Sequence, residues 1–382
     1  MPDPAVRPDY SGHGFANLVA SLVEARGGAA RHATLEALPP AEIAGAENVL
    51  FVIVDGLGDR YLAARGAGSA LARHRRCGIS AVFPSTTASA ITTSYTGATP
   101  LEHGLTGWYT YFSAAACVGT PLPFQRRGER TPLALDASRI YREPGLFEGL
   151  AARSLVVSWR GIVDSTYNAH HCRGAERLAY DDLAGFVEQS VRAVKSGAGR
   201  KFVYAYWPEF DALAHQHGVG SAPVAAHFAA LDAAFAELLA RLAGTDTAVV
   251  LTADHGFVDC PADEAIDLPP ALASQLRFPL CGERRVAFCH VHDPARFIES
   301  ARALFGERAD VRPSAELAAE GWFGPGRPHP DFAERIGDVA LVMRGRATVK
   351  DWLPGESRHL HIGNHGGTSE DEMIIPLVVA KT

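Results

Sequence analysis

Seven consecutive residues, Asn48–Val54 (NVLFVIV), carry no charge and run directly into Asp55-Gly56. A continuous apolar run of this length, rich in β-branched side chains, reads as a strand buried on both faces, which a sheet with one wet face does not offer. Further runs of the same kind follow at 79–83, 154–159, 201–207, 247–254 and 374–380. They alternate with Ala-rich stretches of helical period such as 223–243. Strands alternating with helices predict an α/β fold, with a largely parallel central sheet and helices on both faces. Two stretches break the rhythm, about 108–144 and about 261–335, and are expected to be insertions forming a small cap. The expectation is therefore a single catalytic domain over residues 1–382 carrying those insertions.

A net charge of -7 argues against a nucleic-acid footprint, and no segment presents the roughly 18 uncharged apolar residues of a membrane span. A cytoplasmic location is the expectation, with neither nucleic acid nor membrane as a partner. The six cysteines form no CxxC pair and are read as reduced and mostly structural. Arg126, Arg127 and Arg130 in FQRRGER could meet an anionic substrate, although such runs are more often solvated.

Acidic and imidazole residues gather where predicted strands end: Asp55, Asp211 with His215, Asp254-His255, and His365 in GNHGG. The carboxyl edge of an open α/β sheet is where ligands bind, so the fold would bring these residues together. Asp211 and His215 stand four apart, on one face of a helix if that segment is helical. Taken one at a time, each has an ordinary structural explanation; six N and O donors together suit a pair of zinc-like ions. Between the first two ligand segments, FPSTTASA places a turn and then a helix start near Thr87, where backbone N–H groups face an anion. Ser85, Thr86 and Thr87 could instead simply cap that helix.

The motifs VDGLGD, FPSTTASA through YTGATPLEHG, WPEFDALAHQHG, LTADHGF and HGG, in this order, resemble the alkaline phosphatase superfamily. The likeness is greatest to its type I phosphodiesterase and nucleotide pyrophosphatase branch, and it extends from residue 48 to the C-terminus. The resemblance implies one metal site of Asp55, Asp254 and His255, with Thr87 as the nucleophile on the same ion. It implies a second site of Asp211, His215 and His365. Thr87 is selected because the family's nucleophile lies ten residues before the Gly of a Thr-Gly pair, here Thr96-Gly97. Two divalent ions are expected, zinc first and manganese as the alternative. The implied reaction is hydrolysis of a small phosphodiester through a phosphothreonine; a phosphomonoesterase or a phosphonate hydrolase on the same scaffold is the alternative.

The same resemblance bears on substrate. Family nucleotide pyrophosphatases place an Asn 21 residues after the nucleophile, where this chain has Trp108, and an aromatic directly after it, where this chain has Ala88. Tyr206 matches the family's other stacking aromatic. Trp108 and Tyr206 are thus the candidate substrate-binding residues, on a site that keeps one side of a base sandwich.

Overall fold

The computed structural model describes residues 5–356, 358–359 and 361–382. Seven strands form the central sheet: β1 (Asn48–Val54), β2 (Arg75–Ser80), β3 (Arg153–Trp159), β4 (Ala175–Tyr180), β5 (Lys201–Trp207), β6 (Thr247–Thr252) and β7 (Ile374–Lys381). Their order across the sheet is β2-β7-β6-β1-β5-β3-β4. Strand β1 pairs in parallel with β5 and β6, and β3 pairs in parallel with β5 and β4. Only β7 runs against its neighbours, antiparallel to both β2 and β6. Every residue of β1, β5 and β6 is buried, as the apolar runs that fill their centres require.

The strand expected at 79–83 is displaced, because sheet pairing runs from Arg75 and ends at Ser80. Beyond it, Phe83 leaves the sheet and packs against Trp322 and Phe323 at ring-centroid distances of 5.0 and 5.2 Å. The chain then enters helix α1 (Thr87–Thr96), while α2 (Glu209–His217) follows β5. Helix α3 (Ala222–Leu242) is long and apolar enough, by length and composition, to cross a membrane. Here it buries a stripe of Val224, Phe228, Leu231, Phe235, Leu238 and Leu242, spaced three or four apart.

The stretch after Trp108 forms a three-stranded sheet of Thr110–Phe112, Cys117–Thr120 and Gln125–Arg126. The second interruption builds a four-stranded antiparallel sheet in the order Cys281–Gly282, Val286–Cys289, Val339–Met343, Ala309–Pro313. That sheet continues past residue 335, since Val339–Met343 is one of its inner strands. The two interruptions meet: Tyr109 donates its N–H to Gly282 O at 3.2 Å, and Gly282 returns one to Tyr109 O at 2.6 Å.

Arg285, on the hairpin of the second interruption, is buried and donates to both Glu372 oxygens at 3.1 and 3.0 Å. Glu372 also accepts the Gly367 N–H at 2.8 Å, so one carboxylate ties the hairpin to the loop carrying His365. Arg285→Met would leave that carboxylate buried without its counter-charge, a loss of about 3–5 kcal/mol. Urea unfolding is expected to show a lowered midpoint at constant slope. A shift equivalent to less than about 1 kcal/mol would mean that the pair contributes little to the fold.

Candidate metal and nucleophile centre

Strand direction explains why the candidate residues converge. Asp55 and Asp254-His255 follow parallel strands β1 and β6, and α2 after β5 carries Asp211 and His215. Strand β7 runs the other way, so the loop before it, with His365, reaches the same edge. His255 Nε2 lies 3.3 Å from Asp55 Oδ1 and 3.6 Å from Asp254 Oδ2. Asp211 Oδ1 lies 3.4 Å from His215 Nε2, 3.7 Å from His365 Nε2 and 3.9 Å from His255 Nε2. His215 and His365 face each other Nε2 to Nε2 at 3.2 Å. Among the described residues two donor groups emerge, Asp55, Asp254 and His255 in one and Asp211, His255 and His365 in the other, each with donor atoms within 4.8 Å of one another. His255 thus borders both groups, and His215 stands against the second.

The ligand atoms are set up for a cation. The other ring nitrogen of each histidine meets a backbone carbonyl: His215 Nδ1 at Gly363 O (2.8 Å), His255 Nδ1 at Gly256 O (3.1 Å) and His365 Nδ1 at Ser85 O (3.2 Å). Those contacts favour the proton on Nδ1 and leave each Nε2 lone pair facing the cluster. Asp254 Oδ1 accepts the N–H groups of Gly56 and His255, and the Tyr206 hydroxyl donates to Asp55 Oδ2. Among the described residues, their companion oxygens, Asp55 Oδ1 and Asp254 Oδ2, are buried without a hydrogen bond, as is Asp211 Oδ1. Burial pushes Asp55 up to about 6 and Asp254 up to about 8, and raises Asp211 well above the carboxylate range with help from Asp55 and Asp254. Burial likewise holds His215 and His365 well below the usual imidazole value. Three bare buried carboxylate oxygens beside three imidazole lone pairs fit divalent ions by donor chemistry.

The three hydroxyls of the turn have different partners. Ser85 Oγ donates to Gly367 O at 2.7 Å, and Thr86 Oγ1 donates to Glu283 Oε1 at 2.6 Å. Thr87 Oγ1 faces the cluster, 3.2 Å from His255 Nε2. Thr86 is the residue preceding α1 yet makes no side-chain cap, so the capping explanation does not hold for it. The carboxylate that takes its hydroxyl, Glu283, also accepts the Trp108 N–H at 2.7 Å.

Above the cluster the cleft divides into two unlike wings. An apolar wing of about 770 Å³ runs past Ile91, Trp108, Trp159, Tyr206 and Trp207. A cationic wing of about 600 Å³ runs past Tyr109, Arg284, Lys350 and Trp352, and both wings reach Thr87 and Asp211. Trp108 is 37% exposed and lines both wings rather than packing inside the first interruption. Tyr206 is largely buried, its hydroxyl on Asp55 and its ring at the apolar wing. Ala88 is fully buried and offers no stacking surface. Arg127, from the run expected to be solvated, is buried and held by Asp351 and Glu356 at 2.7 and 2.9 Å. Sequence reasoning missed Glu283, Arg284 and Lys350. The only local sign was an unusually charged CGERR hairpin.

Residues 49–368 match the family model described as type I phosphodiesterase / nucleotide pyrophosphatase. Among solved structures, murine ectonucleotide pyrophosphatase / phosphodiesterase 5 is similar at 17% identity and a TM-score of 0.65, covering 86% of this chain and 87% of that one. The human protein of the same name is similar at 18% identity and a TM-score of 0.64, with 87% of each chain covered. Phosphonoacetate hydrolase from Sinorhizobium meliloti, in complex with phosphonoformate, is similar at 19% identity and a TM-score of 0.64, covering 86% of this chain and 89% of that one. No curated protein matches the chain significantly in sequence.

Proposed function

We propose, because this chain belongs to the type I phosphodiesterase / nucleotide pyrophosphatase family and is therefore a hydrolase of phosphoric ester bonds, that it cleaves phosphodiesters through a phosphorylated Thr87 at a two-zinc site. The observation that carries this reading is the turn: of its three hydroxyls, only that of Thr87 faces the ligand cluster. Asp55, Asp254 and His255 would hold one ion together with Thr87, and Asp211, His215 and His365 the other, manganese being the alternative metal. When bound, the ions supply Lewis-acid activation and neutralise charge on the phosphoryl group.

The chain's own groups do the rest. Thr87 Oγ1 gives up its proton, which balances the charge on the departing oxygen, as its new bond to phosphorus forms and the bond to the leaving oxygen breaks. Water then displaces Thr87, releasing the phosphoryl product and restoring the hydroxyl. The first N–H groups of α1 lack intrahelical acceptors and are available to a non-bridging phosphoryl oxygen. Tyr206 and the Gly56 N–H orient the two carboxylates that face Thr87, and the aromatic side chains of the apolar wing hold the ester substituent away from water. We place the enzyme in the cytoplasm, a location that cell fractionation would test.

The closing assay compares kcat/KM for bis-p-nitrophenyl phosphate, p-nitrophenyl phosphate and the p-nitrophenyl ester of thymidine monophosphate. The simple diester is expected to exceed the monoester. With Ala88 buried, a stacking contribution of about 1–3 kcal/mol is lost, so nucleotide preference should stay within roughly ten-fold. A preference of about a hundred-fold for the monoester would replace this reading with the phosphomonoesterase, and the same preference for the nucleotide would mean that the cleft has rebuilt a base site.

A further inference from the structure

The cationic wing holds more positive charge than its architecture needs. Arg127 is neutralised twice over, by Asp351 at 2.7 Å and by Glu356 at 2.9 Å, and its third nitrogen donates to Leu280 O. Asp351 and Glu356 are thereby engaged. Lys350 Nζ stands 3.5 Å from Glu356 Oε2, 3.4 Å from the Tyr109 hydroxyl and 4.5 Å from the Tyr109 ring centroid. Arg284 donates to His359 O at 2.9 Å and lies 5.5 Å over the Trp352 ring. Its two neighbours on the hairpin are committed elsewhere, Glu283 to Thr86 and Trp108 and Arg285 to Glu372.

Arg127, Arg284 and Lys350 therefore have the two carboxylates Asp351 and Glu356 between them, with Glu283 turned toward the nucleophile turn, and Arg126 and Arg130 line the same cavity. Arg127 is matched by two carboxylates and the buried Arg26 by five backbone carbonyls, whereas Arg284, among the described residues, donates to one carbonyl, and a charge taken out of water with few partners is costly. Burial together with Arg127 lowers Lys350 to about 8, so an anion entering between Lys350 and Arg284 would relieve an existing repulsion. The same cavity contains Thr87, Asp211, His215 and His365, so its occupant is continuous with the phosphorus site.

We propose that Arg284 and Lys350 form a subsite for a second anionic group of the substrate, a carboxylate or a further phosphate, borne on one side of the scissile phosphorus. The proposal rests on the hydrolase reading of the same centre. Tyr109 and Trp352 would flank the part of the substrate that links the two anionic groups, and the guanidinium would engage the distal oxygens in the bidentate manner such groups favour.

The test uses three esters: p-nitrophenyl phenyl phosphate, its 3-carboxyphenyl analogue and its 3-phosphonooxyphenyl analogue. What is read is the ratio of kcat/KM for each acidic ester to that for the neutral one. At least one ratio is expected to reach roughly ten-fold, the worth of one charge-assisted hydrogen bond, and the larger ratio identifies carboxylate or phosphate. Arg284→Met and Lys350→Met should each lower that ratio several-fold. Arg284→Lys should restore part of it, Arg284→Glu should bring it below one, and Arg344→Met at an exposed arginine in a different cavity should leave it alone. Calorimetric binding of phenyl phosphate and 3-carboxyphenyl phosphate to the same proteins gives a second ratio independent of turnover. Ratios near one in wild type, or unmoved by both methionine variants, overturn the subsite. No hydrolysis of the neutral ester overturns the hydrolase reading, and the calorimetric ratio then decides the subsite alone.

Discussion

Thr87→Ala is expected to lower kcat by on the order of a thousand-fold or more, because it removes the hydroxyl we propose as the nucleophile and neither neighbouring hydroxyl is free to replace it. Ser85 Oγ is bound to Gly367 O and Thr86 Oγ1 to Glu283, so neither hydroxyl faces the ligand cluster. Thr86→Ala should therefore cost less than about ten-fold, through loosening of Glu283 alone. The six Asp and His donors are untouched in Thr87→Ala, so elemental analysis should find its metal content close to that of wild type. Rapid quenching during turnover should trap phosphate on the peptide containing Thr87. Equal losses from Thr86→Ala and Thr87→Ala would remove Thr87 from the reaction.

The second large effect concerns metal. Native protein is expected to hold close to two zinc ions per chain, about one in His215→Ala and fewer in His255→Ala, since His255 lies within 3.9 Å of carboxylates from both groups. Metal content unchanged by either replacement would show that the donors are assigned wrongly. The ions should also reverse a pH effect of the stripped protein. Asp55 at about 6 and Asp254 at about 8 lie above the unfolded aspartate value of about 3.9. Their protonated forms thus contribute stability that is fully present below pH ~4 and is lost as pH rises through about 6 and about 8. His215 and His365 are lowered and act oppositely, contributing above pH ~6.5 and losing that contribution on acidification. Between pH ~6.5 and ~8 the carboxyl effect therefore governs, from Asp254 and from Asp211, which burial and its acidic neighbours raise in the same direction, about 1.4 kcal/mol per pH unit for each proton released. Stripped protein should lose Tm across that window, while loaded protein, with cations in place of protons, should hold it. A Tm gap that stays flat or narrows with rising pH would contradict the cluster's electrostatics.

Legibility in the sequence followed the range of the interactions involved. Strands β1, β5 and β6 could be read because burial on both faces leaves an unbroken apolar signature, and the helix start at Thr87 because turn chemistry is local. The edge strand β4, AERLAY, was missed: only its last residue is buried, so it shows neither a continuous run nor a clean alternation. Strand β2 was misplaced because Phe83 is apolar for the sake of Trp322 and Phe323 rather than the sheet. Arg127 illustrates the harder limit. Its pairing with Glu356 spans 229 residues of chain, and no window around FQRRGER holds the carboxylate that distinguishes a buried ion pair from a solvated run. The role of Arg284 was hidden for the same reason. Its meaning comes from what its neighbours Glu283 and Arg285 bind far away.

The position of β7 has a consequence for biosynthesis. This strand lies between β2 and β6, so hydrogen bonds that join the sheet's edge to its centre are made by residues 374–381, and the loop before it delivers His365. While these residues are still inside the ribosome, β2 has no neighbour in the sheet and the ligand cluster lacks one imidazole. Assembly of the centre must then wait until residues 374–381 have left the ribosome. Arrested nascent chains ending near residue 360 should be cut rapidly by protease at the β2 edge whether or not zinc is supplied, and chains extended by a linker past residue 382 should become resistant.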